Sequence, residues 1–300
     1  MYHIPAMLSE CLEGLAIKPE GVYVDLTFGG GGHSKAILER LSGKGKLYAF
    51  DQDEDAGKEA EKIDNPHFQF IEGNFRHFKR YLRVYGVQEV DGILADLGVS
   101  SHQFDTPERG FSIRFEGDLD MRMSQQGELT AKDILNSYTN EKLKHIFYSY
   151  GEIDNAKVLT QSIIRERIKK PLATIQELKQ ICLKHAPRNK QTQYLAQVFQ
   201  ALRIEVNDEM KALEDMLLQM PEAIKQGGRL VVLTYHSLED RLVKNFIQKG
   251  KLEGEVEKDL YGNFYVPFEA VNRKPLTPTE TEITENSRAR SAKLRVATRI

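Results

Sequence analysis

Between residues 22 and 97 the apolar positions fall in short runs. Residues 22–28 (VYVDLTF), 46–50 (KLYAF), 67–71 (HFQFI) and 91–97 (DGILADL) are each strand-sized, and helix-like stretches at 34–41, 54–63 and 75–85 separate them. Short buried strands alternating with helices predict βαβ units and a parallel sheet. Ahead of the first strand, residues 6–15 place Met7, Cys11, Leu12 and Leu15 on one helical face.

The pattern then changes. From 104 to 203 no run reads as a buried strand. Residues 105–123 form a loop rich in Gly, Pro and charge, and 131–135, 141–150, 155–167 and 174–185 read as helices, with Pro171 and Pro187 as punctuation. From 194 to about 220, Leu195, Val198, Phe199, Leu202, Val206, Met210, Leu213 and Leu217 recur at helical steps. Gly227-Gly228 reads as the stop of that helical region. Residues 229–235 (RLVVLTY) then read as a strand, 237–248 as a helix, and 263–266 and 293–297 as two late strands. The expected architecture is an α/β domain of residues 1–107 and 207–300, interrupted by an all-helical domain of residues 108–206.

Composition narrows the class. The 300 residues are 40% apolar and 29% charged, which suits a folded chain rather than a disordered one. Lys and Arg number 42 against 44 acids, a net charge of -2, so a uniformly basic polycation is excluded while a local basic patch is not. Two cysteines, Cys11 and Cys182, make neither a disulfide framework nor a metal-ligand spacing, so no metal site is expected. The N-terminus lacks a secretory pattern and no run is long enough to span a membrane, so a cytoplasmic protein without a membrane partner is expected.

Four sites carry candidate chemistry. The first is Asp25-Leu-Thr-Phe-Gly29-Gly30-Gly31-Gly32-His33-Ser34, between a strand and a helix. Its glycines allow close approach of a ligand to the backbone. It lacks the G-x-x-x-x-G-K-[ST] of a phosphate loop and the third glycine of the dinucleotide fingerprint. An acid ahead of the turn suits a cationic ligand, such as the ammonium and sulfonium of S-adenosylmethionine. The second is Asp51 at the end of the second strand, where a carboxylate accepts ribose hydroxyls. Asp53, Glu54 and Asp55 after it suit a helix start instead. The third is Asp96 at the end of the fourth strand, followed by Gly98, Ser100, Ser101 and Gln103. The fourth is Tyr235-His236-Ser237, with Ser237 and Asp240 spaced as a helix cap. A basic run holds Arg288, Arg290, Lys293 and Arg295, and comparable clusters lie at 76–80 and 184–190. Bases interleaved with aromatics suit RNA.

Together DLTFGGGGHS, DGILADLGVSS, RGFSIRFEGDLDMRM, YGE at 150–152, FQALRIEVN, GGRLVVLTYHSLEDR and ENSRARSAKLR resemble the MraW/RsmH family and span nearly the whole chain in order. That family comprises S-adenosylmethionine-dependent methyltransferases that modify N4 of a cytosine in bacterial small-subunit ribosomal RNA. The resemblance implies a Rossmann-like class I methyltransferase sheet with an inserted helical domain. It also implies a cofactor site at Gly31, Gly32, His33, Asp51, Phe75, Asp96 and Gln103, to which Asp25 is added from its place ahead of the glycine turn. Gly30 stands where members commonly carry an Arg or similar residue.

The chemistry so implied is direct in-line methyl transfer to a weakly nucleophilic amine, with no covalent intermediate. Asp96 and His236 are the candidates for its proton acceptor. Other N4-amino methyltransferases carry [DSN]-P-P-[YFW] after strand four, where this chain has Asp96-Leu-Gly-Val-Ser-Ser. The partner is small-subunit ribosomal RNA or the assembled small subunit, and the protein itself is a monomer or homodimer. The alternative is an RNA-binding ribosome-assembly factor that retains a cofactor-binding fold.

Overall fold

The computed structural model describes residues 5–254 and 266–300. These residues form two compact units, 5–98 with 210–254 and 266–300, and 99–209. Among the described residues, no helix is long and apolar enough to cross a membrane.

The first unit opens with helix α1 (Leu8–Leu15) and continues β1 (Val22–Asp25), α2 (Gly32–Leu38), β2 (Lys46–Asp51), α3 (Glu54–Ala60), β3 (Phe68–Glu72), α4 (Phe78–Val84) and β4 (Val90–Asp96). A turn of 3-10 helix, Phe75–His77, precedes α4. The second unit carries α5 (Ser101–Asp105), α6 (Ala131–Ser137), α7 (Asn140–Ser149), α8 (Ala156–Lys169), α9 (Ile175–Leu183) and α10 (Gln191–Asn207). The chain then runs through α11 (Glu209–Ala223), β5 (Ile224–Thr234), α12 (Ser237–Lys249), β6 (Phe268–Ala270), α13 (Glu280–Glu285) and β7 (Lys293–Arg299).

The seven strands form one sheet in the order β3-β2-β1-β4-β5-β7-β6. β1 to β5 pair in parallel, and β7 runs antiparallel to both β5 and β6. Alternating residues face opposite layers, as a pleated strand requires. Val24, Phe50, Ile93 and Val232 pack with Phe78, Leu82, Leu213, Met216 and Phe246. Tyr23, Leu47, Leu94 and Leu233 pack with Cys11, Leu12 and Ile37. With both faces covered, the strands read as nearly continuous apolar runs. The strand order reverses at β1, so the crevice outside the carboxyl ends of β1 and β4 is where such sheets take ligands.

Three local expectations need correction. The amphipathic run from 194 to 220 is two helices, because Asp208 adopts the left-handed conformation (φ 49°) between α10 and α11. Asp tolerates that conformation better than most residues, and apolar spacing does not register it. Gly227-Gly228 lies inside β5, with Gly227 at φ 78°, at the register shift opposite 90–92. A Cβ on Gly228 would stand 2.9 Å from Asp91 O, so the pair permits close strand approach rather than stopping a helix. The late strand is β6, and the run expected at 263–266 lies outside the described residues except for Val266, which is not in a strand.

The helical unit has its own core, built on Leu135, Phe147, Leu159, Ile163, Leu178, Val198 and Leu202. Its charge-rich loop is ordered by its own arginines. Arg109 is buried and donates to the carbonyls of Arg122 and Met123, and Arg122 forks onto Asp120. Asn207 clamps the same loop, donating to Met121 O and accepting from Met123 N.

Candidate active site

The site grows from the turn after β1. Asp25 is fully buried, accepting the Ser34 hydroxyl (2.7 Å) and the Thr27 N–H (3.1 Å). Burial pushes its carboxyl up, and the neighbouring His33 opposes that. Gly29 (φ 53°) and Gly31 (φ 75°) take left-handed conformations, and a Cβ on Gly31 would stand 2.7 Å from the Phe28 ring. Helix α2 opens at Gly32, so His33 lies in its first turn rather than in the loop.

Asp51 is joined to this turn. Its Oδ2 accepts the Gly29 N–H (2.8 Å) and its Oδ1 the Asp53 N–H (2.9 Å). One lone pair of each oxygen is thereby committed, and the others remain for further donors. Burial pushes its carboxyl up to about 6. Asp53 caps α3, which answers for the acids after Asp51. Phe75 begins the 3-10 turn after β3, half-buried against the core, behind an Asn74 that donates to Gln52 Oε1.

Asp96 ends β4. Its N–H donates to Thr27 Oγ1 (2.7 Å), its Oδ1 accepts the Tyr235 hydroxyl (2.7 Å), and its Oδ2 faces His33 Nδ1 at 3.7 Å. Burial raises its carboxyl too, against the pull of His33. Asp25, His33, Asp96 and Tyr235 therefore form one polar cluster at the carboxyl ends of β1, β4 and β5. Thr27 and Tyr235 hold it together, and neither was assigned that role from sequence. Strand-end position is the signal for Tyr235, whereas nothing in the pattern singles out Thr27.

His236 does not join this cluster. It is the N-cap of α12, a role sequence spacing gave to Ser237. Its Nδ1 accepts from the Glu239 N–H (3.4 Å), and Glu239 in turn accepts from the Tyr235 N–H (2.8 Å). Its Nε2 lies 3.2 Å from Glu239 Oε1 without hydrogen-bond alignment. Gln103 belongs to the helical unit, where it is buried and closes the capping box of α5 with Ser100.

The basic candidates divide. Arg295 is buried and binds Asp240 (2.7 Å), with Lys293 at 3.4 Å from the same carboxylate. Arg288 has its own contacts and is half-buried. Arg290 is exposed, beside a cavity of about 290 Å³ lined by Tyr235, His236, Ser237, Thr277, Arg290 and Lys293. The cluster at 76–80 is partly structural, with Arg80 exposed. Arg76 binds Asp215 (2.7 Å), Lys79 pairs with Glu222, and Phe78 is wholly buried. The cluster at 184–190 is largely exposed.

A family model described as the MraW methylase family matches residues 1–300. The chain belongs to the MraW methylase family. Its relatives include the ribosomal RNA small subunit methyltransferase H of Cytophaga hutchinsonii, 56% identical over 299 residues that cover 100% of both chains. The protein of that name from Flavobacterium johnsoniae is 54% identical, covering 100% of this chain and 98% of its own. That of Bacteroides thetaiotaomicron is 53% identical, covering 99% and 97%. Within this MraW methylase chain, the segments that carry the resemblance include both the glycine turn and the Asp96 strand end.

Proposed function

We propose that the chain transfers a methyl group from S-adenosylmethionine to N4 of a cytosine in small-subunit ribosomal RNA. The observation that carries this reading is the polar strand-end site where Asp51 binds the Gly29 N–H and Asp96 the Thr27 hydroxyl, in a chain whose relatives are named as ribosomal RNA small subunit methyltransferases. The residues fit the cofactor. The uncommitted lone pairs of Asp51 suit two ribose hydroxyls, the half-buried Phe75 offers a face to an adenine, and Asp25 and Asp96 place negative charge beside the turn for a cation. Gly31, Gly32 and His33 belong to the glycine turn and the helix start after it, and the family resemblance adds Gln103 of the helical unit as an expected contact. Bound there, the cofactor supplies an electrophilic methyl group.

The chain's own part is orientation. The carboxylates are fixed by backbone and hydroxyl donors before any ligand arrives, so little reorganisation accompanies the reaction. The target base must leave its stack to reach such a crevice. Arg290 and the 184–190 cluster are exposed cations that suit phosphate contacts, whereas Arg295 is committed to Asp240. A small-subunit RNA substrate supports a cytoplasmic site of action.

The reading is tested by incubation with methyl-labelled S-adenosylmethionine and either free ribosomal RNA or small subunits from cells lacking this enzyme. Label in either RNA supports it. Label in neither favours an assembly factor that only binds.

A further inference from the structure

We propose that Asp96 and His33 act as a proton-holding pair: Asp96 accepts the proton released by the target amine, and His33 receives it through Nδ1. The role of the amine rests on the methyltransferase reading; the pair itself rests on geometry.

His33 has a fixed tautomer. Its Nε2 lies 3.0 Å from the carbonyl oxygen of Ala6. A carbonyl only accepts, so Nε2 carries the hydrogen and Nδ1 of the neutral ring is a bare acceptor. Nδ1 faces Asp96 Oδ2 at 3.7 Å. An acceptor facing a carboxylate makes no hydrogen bond, and the separation matches that. One proton placed on either atom turns the contact into a charge-assisted N–H···O or O–H···N bond. The arrangement is built to hold one proton.

The route follows from the other contacts. Asp96 Oδ1 accepts the Tyr235 hydroxyl, and Oδ2 is the oxygen that faces Nδ1 and is placed to pass a proton to it. The Asp96 side chain keeps 23% of its surface open and that of His33 only 6%, so a substrate proton meets Asp96 first. The other titratable groups around the pair are Asp25 from β1, Cys11 from α1, Tyr235 at the end of β5 and Glu239 from α12. Asp25 accepts the Ser34 hydroxyl and the Thr27 N–H and stands as a further acidic group beside His33.

The step balances. The amine lone pair forms the new N–CH3 bond, and the breaking C–S bond leaves its electron pair on sulfur. The cationic amine loses a proton to Asp96 Oδ2, restoring a neutral methylamine. Transfer to His33 Nδ1 regenerates the carboxylate beside an imidazolium, which later returns the proton to water. Asp96 touches the amine, and His33 acts through it as a positioning residue.

Nitrogen-15 spectra of the histidines in the full-length, ligand-free protein test the pair without cofactor or RNA, so this outcome is separate from that of the methyltransferase reading. In the neutral ring the hydrogen is expected on Nε2 with Nδ1 bare, and in Asp96→Asn, whose carboxamide can donate to Nδ1, the Nδ1 resonance is expected to move as an accepted hydrogen bond requires. A hydrogen on Nδ1 of the neutral ring, or an Nδ1 resonance unchanged in Asp96→Asn, overturns the proposal. Should Asp96→Asn not fold, the tautomer in the unaltered protein and a His33→Gln variant still decide. At saturating cofactor and RNA, single-turnover methylation by His33→Gln is expected to slow about tenfold or more with a displaced acid limb. A pH profile identical to that of the unaltered enzyme overturns the relay.

Discussion

The Tyr235 hydroxyl donates to Asp96 Oδ1 across 2.7 Å, tying the end of β5 to the end of β4. The adjacent Tyr235 N–H is held by Glu239 of α12, so the phenol is fixed from behind. Tyr235→Phe removes this donor and keeps the ring. It should cost about 1.5–3 kcal/mol of folding stability, the usual worth of a hydrogen bond to a charged acceptor. Because burial already raises the Asp96 carboxyl, losing a donor raises it further, and the acid limb of methylation should move to higher pH. Denaturant unfolding and a pH–rate profile read the two effects.

Asp51 gives the binding reaction a pH dependence. Its folded carboxyl sits at about 6, above the ordinary value. The stability this lends is complete below about 4 and is lost as pH rises through about 6. Ribose recognition runs the other way, because only the ionised carboxylate accepts from two hydroxyls while holding Gly29 and Asp53. Cofactor affinity measured by calorimetry should weaken by about fourfold between pH 7.5 and 5.5, the ratio of ionised fractions for one such group. Asp51→Ala should abolish binding at both. Unchanged affinity in that variant refutes the ribose assignment.

Neighbouring glycines should respond in opposite ways to alanine. At Gly31 the backbone is left-handed and the new methyl meets the Phe28 ring, so Gly31→Ala should destabilise by about 1–2 kcal/mol or more. At Gly30 the added methyl meets nothing within 4 Å and no left-handed φ is imposed. Gly30→Ala should leave the melting temperature within about 2 °C. Thermal unfolding of the two variants side by side checks the contrast.

Two arginines of the C-terminal basic run should separate stability from binding. Arg295→Ala strips Asp240 of its closest cation in a buried setting and should cost about 2–3 kcal/mol. Arg290→Ala removes an exposed charge and should leave stability unchanged. It should weaken RNA binding and lower its salt dependence by about one counterion. Denaturation and RNA affinity at several salt concentrations distinguish the two.

The sheet was legible because its strands are buried on both faces, so Val24, Phe50, Ile93 and Val232 sit in continuous apolar runs. The break at Asp208 was not, because a single left-handed residue leaves apolar spacing intact. The strand-end acids Asp25, Asp51 and Asp96 were legible as a group of candidates, and the fold gathers Asp25 with Asp96 and joins Asp51 to the glycine turn. It was not legible where a role depends on partners distant in the chain. Arg76, Lys79 and Arg295 read as free cations until Asp215, Glu222 and Asp240 came beside them. His236 likewise read as a candidate proton acceptor, whereas in the fold its Nδ1 caps α12.

The central claim is methyl transfer to an exocyclic cytosine amine, and nucleoside analysis tests it most directly. Small-subunit RNA treated with the protein and S-adenosylmethionine would be digested to nucleosides and examined by mass spectrometry. The expected product is a cytidine methylated at N4, and Asp51→Ala should form none. Methylation confined to a ring carbon, to the ribose or to another base, or no methylated nucleoside at all, would contradict the account.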